Sequence, residues 1–155
     1  MSPKLEDVLY DQIAPAAVAA ERATGCPAEL SVAQCIIESS WLNNSPGNNC
    51  FGIKATDSHA TYQLTKEYLN GEWKTMRLAF EVYDSLADCF IAHAKLLEGG
   101  PYRNAWQRFQ SDRDLDAYIR GIAGVYATDP AYANKILTLA HGPHVTEAIA
   151  KARLQ

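Results

Sequence analysis

Asn70-Gly71 is the strongest turn signal in the chain, and it lies between two segments, 61–69 and 72–80, that read as strands. Asn-Gly supplies the positive-φ residues that a tight two-residue hairpin turn demands. With such a turn Glu67 stands directly opposite Lys74, and Tyr68 opposite Trp73. The segments on either side of this hairpin read as helices. The expected fold class is therefore mainly α (α+β): a helical body interrupted by one small β-hairpin.

The helices are marked by their ends. Ser2-Pro3 opens one in which Leu5, Leu9 and Ile13 keep helical spacing, and Pro15 either kinks it or begins the next. The alanine-rich stretch up to Thr24 stops at Gly25. Pro27 opens a helix to about Ser40, and an irregular loop rich in Asn, Gly, Ser and Pro then runs to about Ala60. Beyond the hairpin, Ser85 with Asp88 starts a helix carrying Leu86, Phe90 and Leu97. A short helix is expected over 103–109, a further one capped by Ser111 with Asp114, another from Asp129-Pro130, and a last one from about Val145. No repeat, low-complexity tract or linker divides the 155 residues, so a single domain over 1–155 is expected.

A net charge of −4 lacks the basic footprint that nucleic-acid binding needs. No stretch reaches the roughly 18 apolar residues of a membrane span. Neither nucleic acid nor membrane is expected as a partner, and a monomer is expected. The segment Met1-Ser2-Pro3-Lys4-Leu5-Glu6-Asp7 does not read as a signal peptide. The expectation is synthesis in the cytoplasm with delivery by another route, or a domain trimmed from a larger protein. Cys26, Cys35, Cys50 and Cys89 form no CxxC pair and no metal-ligand rhythm. Buried free thiols are the first reading of them, and one disulfide the second. His141-Gly142-Pro143-His144 straddles a turn and is not read as a metal site.

Glu38 is the residue that points to chemistry. It sits in Ala33-Gln34-Cys35-Ile36-Ile37-Glu38-Ser39-Ser40-Trp41, an almost entirely apolar helical segment. A carboxylate in such surroundings costs free energy to ionise, so its pKa should be raised. A carboxylic acid still protonated near neutral pH is what glycosidic-bond cleavage requires as a general acid. The residues alone fit equally a glutamate at a helix end paired with a cation. Glu67 is the second candidate, held ionised by Lys74 as a base or charge stabiliser, or else an exposed cross-strand ion pair. Glu72 and Asp57 are weaker candidates of the same kind. Trp41, Phe51, Tyr62, Tyr68, Trp73, Tyr83 and Tyr126 gather around the loop, the hairpin and later turns, where aromatic faces suit sugar rings or pack the core.

Five segments, in order over about residues 10 to 140, match one family: Ala33-Gln34 with Glu38-Ser39 and Trp41, then Asn49-Cys50-Phe51-Gly52-Ile53-Lys54-Ala55, Thr65-Lys66-Glu67-Tyr68-Leu69-Asn70-Gly71, Phe80-Glu81-Val82-Tyr83-Asp84-Ser85, and Tyr126-Ala127-Thr128-Asp129-Pro130-Ala131-Tyr132-Ala133. On these residues the chain resembles the peptidoglycan endo-β-N-acetylglucosaminidases of glycoside hydrolase family 73. That family includes bacterial autolysins and the hydrolase domain of flagellar rod-assembly proteins.

The resemblance implies a lysozyme-like fold, with a helical lobe, a small β-hairpin lobe and a groove between them. It puts Glu38 at the general acid, Glu67 at the second carboxylate and Tyr126 beside the reacting sugar. Trp41, Asn49, Phe51, Tyr68, Trp73 and Tyr132 join as candidate substrate-binding residues. The implied reaction is hydrolysis of the β-1,4 bond after N-acetylglucosamine in the peptidoglycan glycan strand, with no cofactor and no metal. Water activated by Glu67 would give inversion, and the substrate's own N-acetyl group as nucleophile would give retention. A muramidase, a lytic transglycosylase or a silent glycan-binding module are the rivals, and a phage or prophage endolysin is the favoured setting. Six positions depart from the family pattern, Cys35 and Cys50 among them in place of small or branched apolar residues. Ser40 and Leu42 replace glycines, Glu81 replaces an arginine and Val125 replaces the glycine before Tyr126.

Overall fold

Eight α-helices form among the described residues of the computed structural model, which are 1–55, 60–127 and 129–155. Asp57 and Thr128 lie outside them. The helices are α1 (Pro3–Val8), α2 (Ala14–Thr24), α3 (Ala28–Ser39), α4 (Leu86–Leu96), α5 (Arg103–Asp112), α6 (Leu115–Tyr126), α7 (Tyr132–Ala140) and α8 (Pro143–Arg153). Between α3 and α4 stand two antiparallel strands, β1 (Ala60–Leu69) and β2 (Glu72–Glu81). The mainly helical, lysozyme-like arrangement read from the sequence is the one observed.

Helix α3 explains the layout. Ala28 and every residue from Leu30 to Ile36 are buried. Val32, Cys35 and Ile36 enter one core, with Leu9, Ile13, Val18, Phe51, Phe90 and Ile149. Leu30 and Ala33 enter a second core, with Leu97, Phe109, Ile119, Ile122 and Ile136. A helix packed on all sides has no use for a polar stripe, which is why this segment reads as apolar all round. Its N-terminus follows Pro27, which offers no capping side chain, so the Glu21 carboxylate accepts the Ala28 N–H at 3.0 Å. Arg153 on α8 holds that same carboxylate at 2.6 Å and reaches Glu29 at 2.9 Å. The starts and ends of α2, α3 and α8 are thereby pinned together.

The hairpin has the expected register, with Glu67 opposite Lys74 and Tyr68 opposite Trp73. Asn70 and Gly71 take φ of 52° and 81°, the two left-handed residues of a tight turn whose twist matches the strands. At its root, Ala55 donates to the Ala79 carbonyl and Glu81 to the Ile53 carbonyl, so the preceding loop runs along β2. Pro15 sits in the first turn of α2, one residue from the opening position that the sequence offered it. A π-turn over Leu9–Ile13 joins α1 to α2, Ala14 bonds back to Leu9, and the wider turn absorbs the missing proline N–H. The expectation for Ser111 fails: α5 runs on through it to Asp112, Arg113 turns left-handed, and Asp114 alone caps α6 by accepting the Ala117 N–H at 3.1 Å. Helix α7 begins at Tyr132, with Asp129 accepting the Ala131 N–H in the turn before it.

The turn after α3 carries strain. Ser40, Trp41 and Leu42 have φ of 50°, 60° and 66°, three consecutive non-glycine residues in the left-handed region. Each costs roughly 1–2 kcal/mol relative to ordinary helical backbone. The Ser39 hydroxyl holds the path by donating to the Cys35 carbonyl at 2.6 Å and accepting the Leu42 N–H at 2.9 Å. The backbone thus follows a glycine-like course at Ser40 and Leu42 without glycine. Ser40→Gly is expected to raise stability by about 1 kcal/mol, because the exposed serine gains nothing from its side chain and glycine relieves the strain. A urea titration showing a lower midpoint for Ser40→Gly would contradict this account.

Candidate active site

Glu38 stands on the last turn of α3, where that helix leaves the core. Its side chain opens on a cleft of about 190 Å³ lined by Asn44, Asn49, Gly52, Gln63, Thr65 and Phe80, between the helical lobe and the hairpin. The residue is exposed at the cleft, and its carboxyl is partly desolvated by the protein around it. Desolvation raises its pKa above the usual glutamate value, and a hydrogen bond from Tyr132 opposes part of that rise. The sequence reading placed this carboxyl within an apolar helix. It does stand in that helix, on the last turn, where one side is open to the cleft.

Two buried residues orient it. Gln34, one turn earlier on α3, donates its Nε2–H to the Tyr132 hydroxyl at 3.1 Å, and that hydroxyl donates to Glu38 Oε1 at 3.2 Å. Tyr126 stacks on Tyr132 with ring centroids 5.9 Å apart and planes 7° from parallel. Burial, with the nearby Glu38 charge as a lesser cause, raises the pKa of the Tyr126 phenol. Burial also dominates the rise at Tyr132. Both tyrosines stay neutral hydroxyl groups at any physiological pH. Glu38, Tyr126 and Tyr132 therefore come together as the sequence reading wanted. Gln34 was matched there to the family motif but given no role. Its signal was the i, i+4 spacing from Glu38, which sets two side chains on one face.

The other candidates divide. Asn49 lines the cleft, but its side chain is committed: Nδ2 donates to the carbonyls of Ile53 and Glu81, and Oδ1 accepts the Ile53 N–H. It clamps the loop to the hairpin root. Phe51 is buried, stacked on His93 at 3.8 Å and edge-on to Phe90 at 5.0 Å, so it underlies the cleft as packing. Trp41 is half-buried against the first core in the strained turn. Tyr68 and Trp73 pair ring to ring at 5.3 Å on the hairpin face opposite to the one carrying Gln63 and Thr65. The structure does not bring those two to the cleft. Glu67 shares the face of Thr65, accepts a hydrogen bond from the Thr65 hydroxyl at 3.1 Å, and lies one pleat, about 7 Å, farther out.

Below the cleft, His93 on α4 is 2% exposed, and neither ring nitrogen has a hydrogen-bond partner among the described residues. Burial takes its pKa down to about 3, so it remains a neutral ring packed under Phe51 and Tyr126. His141 is bonded to Asp116 at 2.7 Å, and no cluster among the described residues is arranged to hold a metal ion. A wider hollow between α5 and α6, about 340 Å³, is lined by Ala105, Phe109, Gly121 and the pair Arg108–Asp112. Its one carboxyl, Asp112, is held by Arg108 and has a lowered pKa, so the smaller cleft at Glu38 is the better candidate site.

The family described as Glucosaminidase, mannosyl-glycoprotein endo-beta-N-acetylglucosaminidase, matches residues 14–143. A probable N-acetylmuramidase of Lactococcus lactis subsp. cremoris is 35% identical over 146 residues, covering 85% of this chain and 33% of that protein. The peptidoglycan hydrolase FlgJ of Salmonella typhimurium is 35% identical over 149 residues, covering 90% and 46%. The chain thus spans about a third to a half of the length of these relatives. The catalytic domain of the autolysin Auto from Listeria monocytogenes has the same fold, with a TM-score of 0.80 at 26% identity over 96% of this chain and 89% of that one.

Tyr132 donates to the charged form of Glu38, and a bond to the charged form lowers an acid's pKa. Tyr132→Phe should therefore move the Glu38 carboxyl titration, followed by carbon-13 NMR, to higher pH. A shift to lower pH would refute the hydrogen-bond assignment.

Proposed function

The chain belongs to the glucosaminidase family, and from that membership and the cleft we propose that it hydrolyses peptidoglycan, cutting the β-1,4 bond that follows N-acetylglucosamine in the glycan strand. One observation carries the reading. Glu38 is open to a groove on one side, yet desolvated enough for its pKa to be raised, which suits a proton donor to the leaving oxygen. Tyr132 fixes the carboxyl's orientation, and Tyr126 presents a neutral hydroxyl beside it.

The second step has two routes. Glu67 does not line the cleft with Glu38, and this separation favours attack by the substrate's own N-acetyl oxygen, with net retention. Activation of water by Glu67 would require the hairpin to swing inward and would give inversion. Thr65, Gln63 and the Asn44 amide offer polar contacts to sugar hydroxyls along the groove. The place of action is the cell wall, where the glycan is, and no helix among the described residues is long and apolar enough to cross a membrane.

Digestion of purified peptidoglycan followed by mass spectrometry tests the bond. Fragments with reducing-end N-acetylglucosamine are expected. Reducing-end N-acetylmuramic acid would make the chain a muramidase, and 1,6-anhydro products a lytic transglycosylase. Anomeric NMR of the first-formed product should show retained β configuration.

Glu38→Gln should lower the rate by at least about 100-fold, as loss of a general acid does. Its effect on stability has a definite sign. A carboxyl with a raised folded-state pKa favours the folded state only while protonated, and that advantage disappears as pH rises from the unfolded value through the folded one. The neutral glutamine escapes this loss. Thermal melts should show Glu38→Gln at least as stable as the parent at pH 7, with the gap closing below about pH 4, under the unfolded glutamate pKa.

A further inference from the structure

Three thiols meet beneath the cleft floor. Cys35 on α3, Cys50 in the loop and Cys89 on α4 are buried in the same core, whereas Cys26 lies in the other core, 3.5 Å from the Ser31 hydroxyl. The sulfurs of Cys50 and Cys89 are 4.0 Å apart, in contact but unbonded. Cys35 directs its sulfur to the Ser39 hydroxyl at 3.8 Å. All four thiols are free, as the first sequence reading expected.

We propose that Cys50 and Cys89 are a dithiol oxidation site, which a hydroperoxide converts into a disulfide that staples the cleft floor to α4. A disulfide needs its sulfurs at about 2.05 Å, so the pair must close by about 2 Å. Cys50 lies in irregular backbone between Asn49 and Phe51, outside any helix or strand, so the closure falls on the loop and not on α4. The roles within the pair are unequal. The Cys50 thiol, 4.0 Å away, and the nearby backbone N–H groups of Cys50 and Phe51 favour the thiolate of Cys89. Burial pushes the Cys50 thiol the other way.

The chemistry balances with hydrogen peroxide as the oxidant. The Cys89 thiolate attacks one peroxide oxygen, the O–O bond breaks, and the departing hydroxide takes up the thiol proton as water. The product is a sulfenic acid. The Cys50 sulfur then attacks the Cys89 sulfur, the S–O bond breaks, and the oxygen leaves as a second water with the Cys50 proton. The two thiols lose two electrons and the peroxide gains them. Both sulfurs are sealed from solvent, so the reaction waits on local opening of the loop and favours a small oxidant.

The crosslink would join the two roots of the β-lobe. Residues 50 and 89 bracket the whole hairpin, and closing that loop restricts the unfolded chain. The intact chain should be treated with hydrogen peroxide, alkylated in denaturant and analysed by mass spectrometry. The expected result is loss of two hydrogens, a peptide linking Cys50 to Cys89, reversal by dithiothreitol, and a melting temperature raised by about 10 °C. Cys26→Ser should keep the link and Cys89→Ser should lose it. If Cys89→Ser fails to fold, the peptide map of the unaltered chain decides the question. Alkylation of all four cysteines after treatment, a link through Cys35 or Cys26, or sulfinic acid at Cys89 without a link would each overturn the proposal.

Discussion

Everything in this molecule is arranged around the burial of α3 on all sides. A helix shared by two cores cannot shift without disturbing both, since interiors are close-packed and respond to displacements of a single methylene. That rigidity is handed to Glu38, which stands at the one end of α3 that escapes the core. The carboxyl is thus placed by a helix held in two cores and stands at the boundary of both. Complete burial would close it off from the cleft, and full hydration would return its pKa to that of an ordinary glutamate.

The support around Glu38 is built from the same packing. Gln34 uses a position inside the core to reach Tyr132, and Tyr132 uses the start of α7 to reach the acid. Tyr126 closes the stack from the end of α6. Three helices that pack for apolar reasons thereby fix three polar groups. His93, neutral and without hydrogen bonds among the described residues, fills the space below as an aromatic ring would.

Much of this was legible in the sequence, and the misses have physical causes. The hairpin and its register followed from Asn70-Gly71, because a two-residue turn leaves no freedom in pairing. The helices followed from apolar spacing and their end residues. Ser111 misled because Asp114, three residues on, is by itself a sufficient cap. Assigning both Glu67 and Tyr68 to the groove overlooked the pleat, since adjacent strand residues must face opposite ways. Asn49 and Phe51 were found as important positions but not for their actual work. Their partners, the Ile53 and Glu81 backbone and the His93 ring, are set by tertiary folding alone.

The hairpin is also a lever. Its ten-residue strands project about 33 Å from a root held by a few backbone bonds and the Asn49 clamp, and a two-stranded ribbon has little stiffness of its own. Glu67 lies about 24 Å along that arm, so a pivot of about 10° at the root carries it through about 4 Å. Its separation from Glu38 is therefore highly sensitive to the angle of the arm at its root. The grip at the root, well away from Glu67, fixes that angle and with it the distance between the two carboxylates.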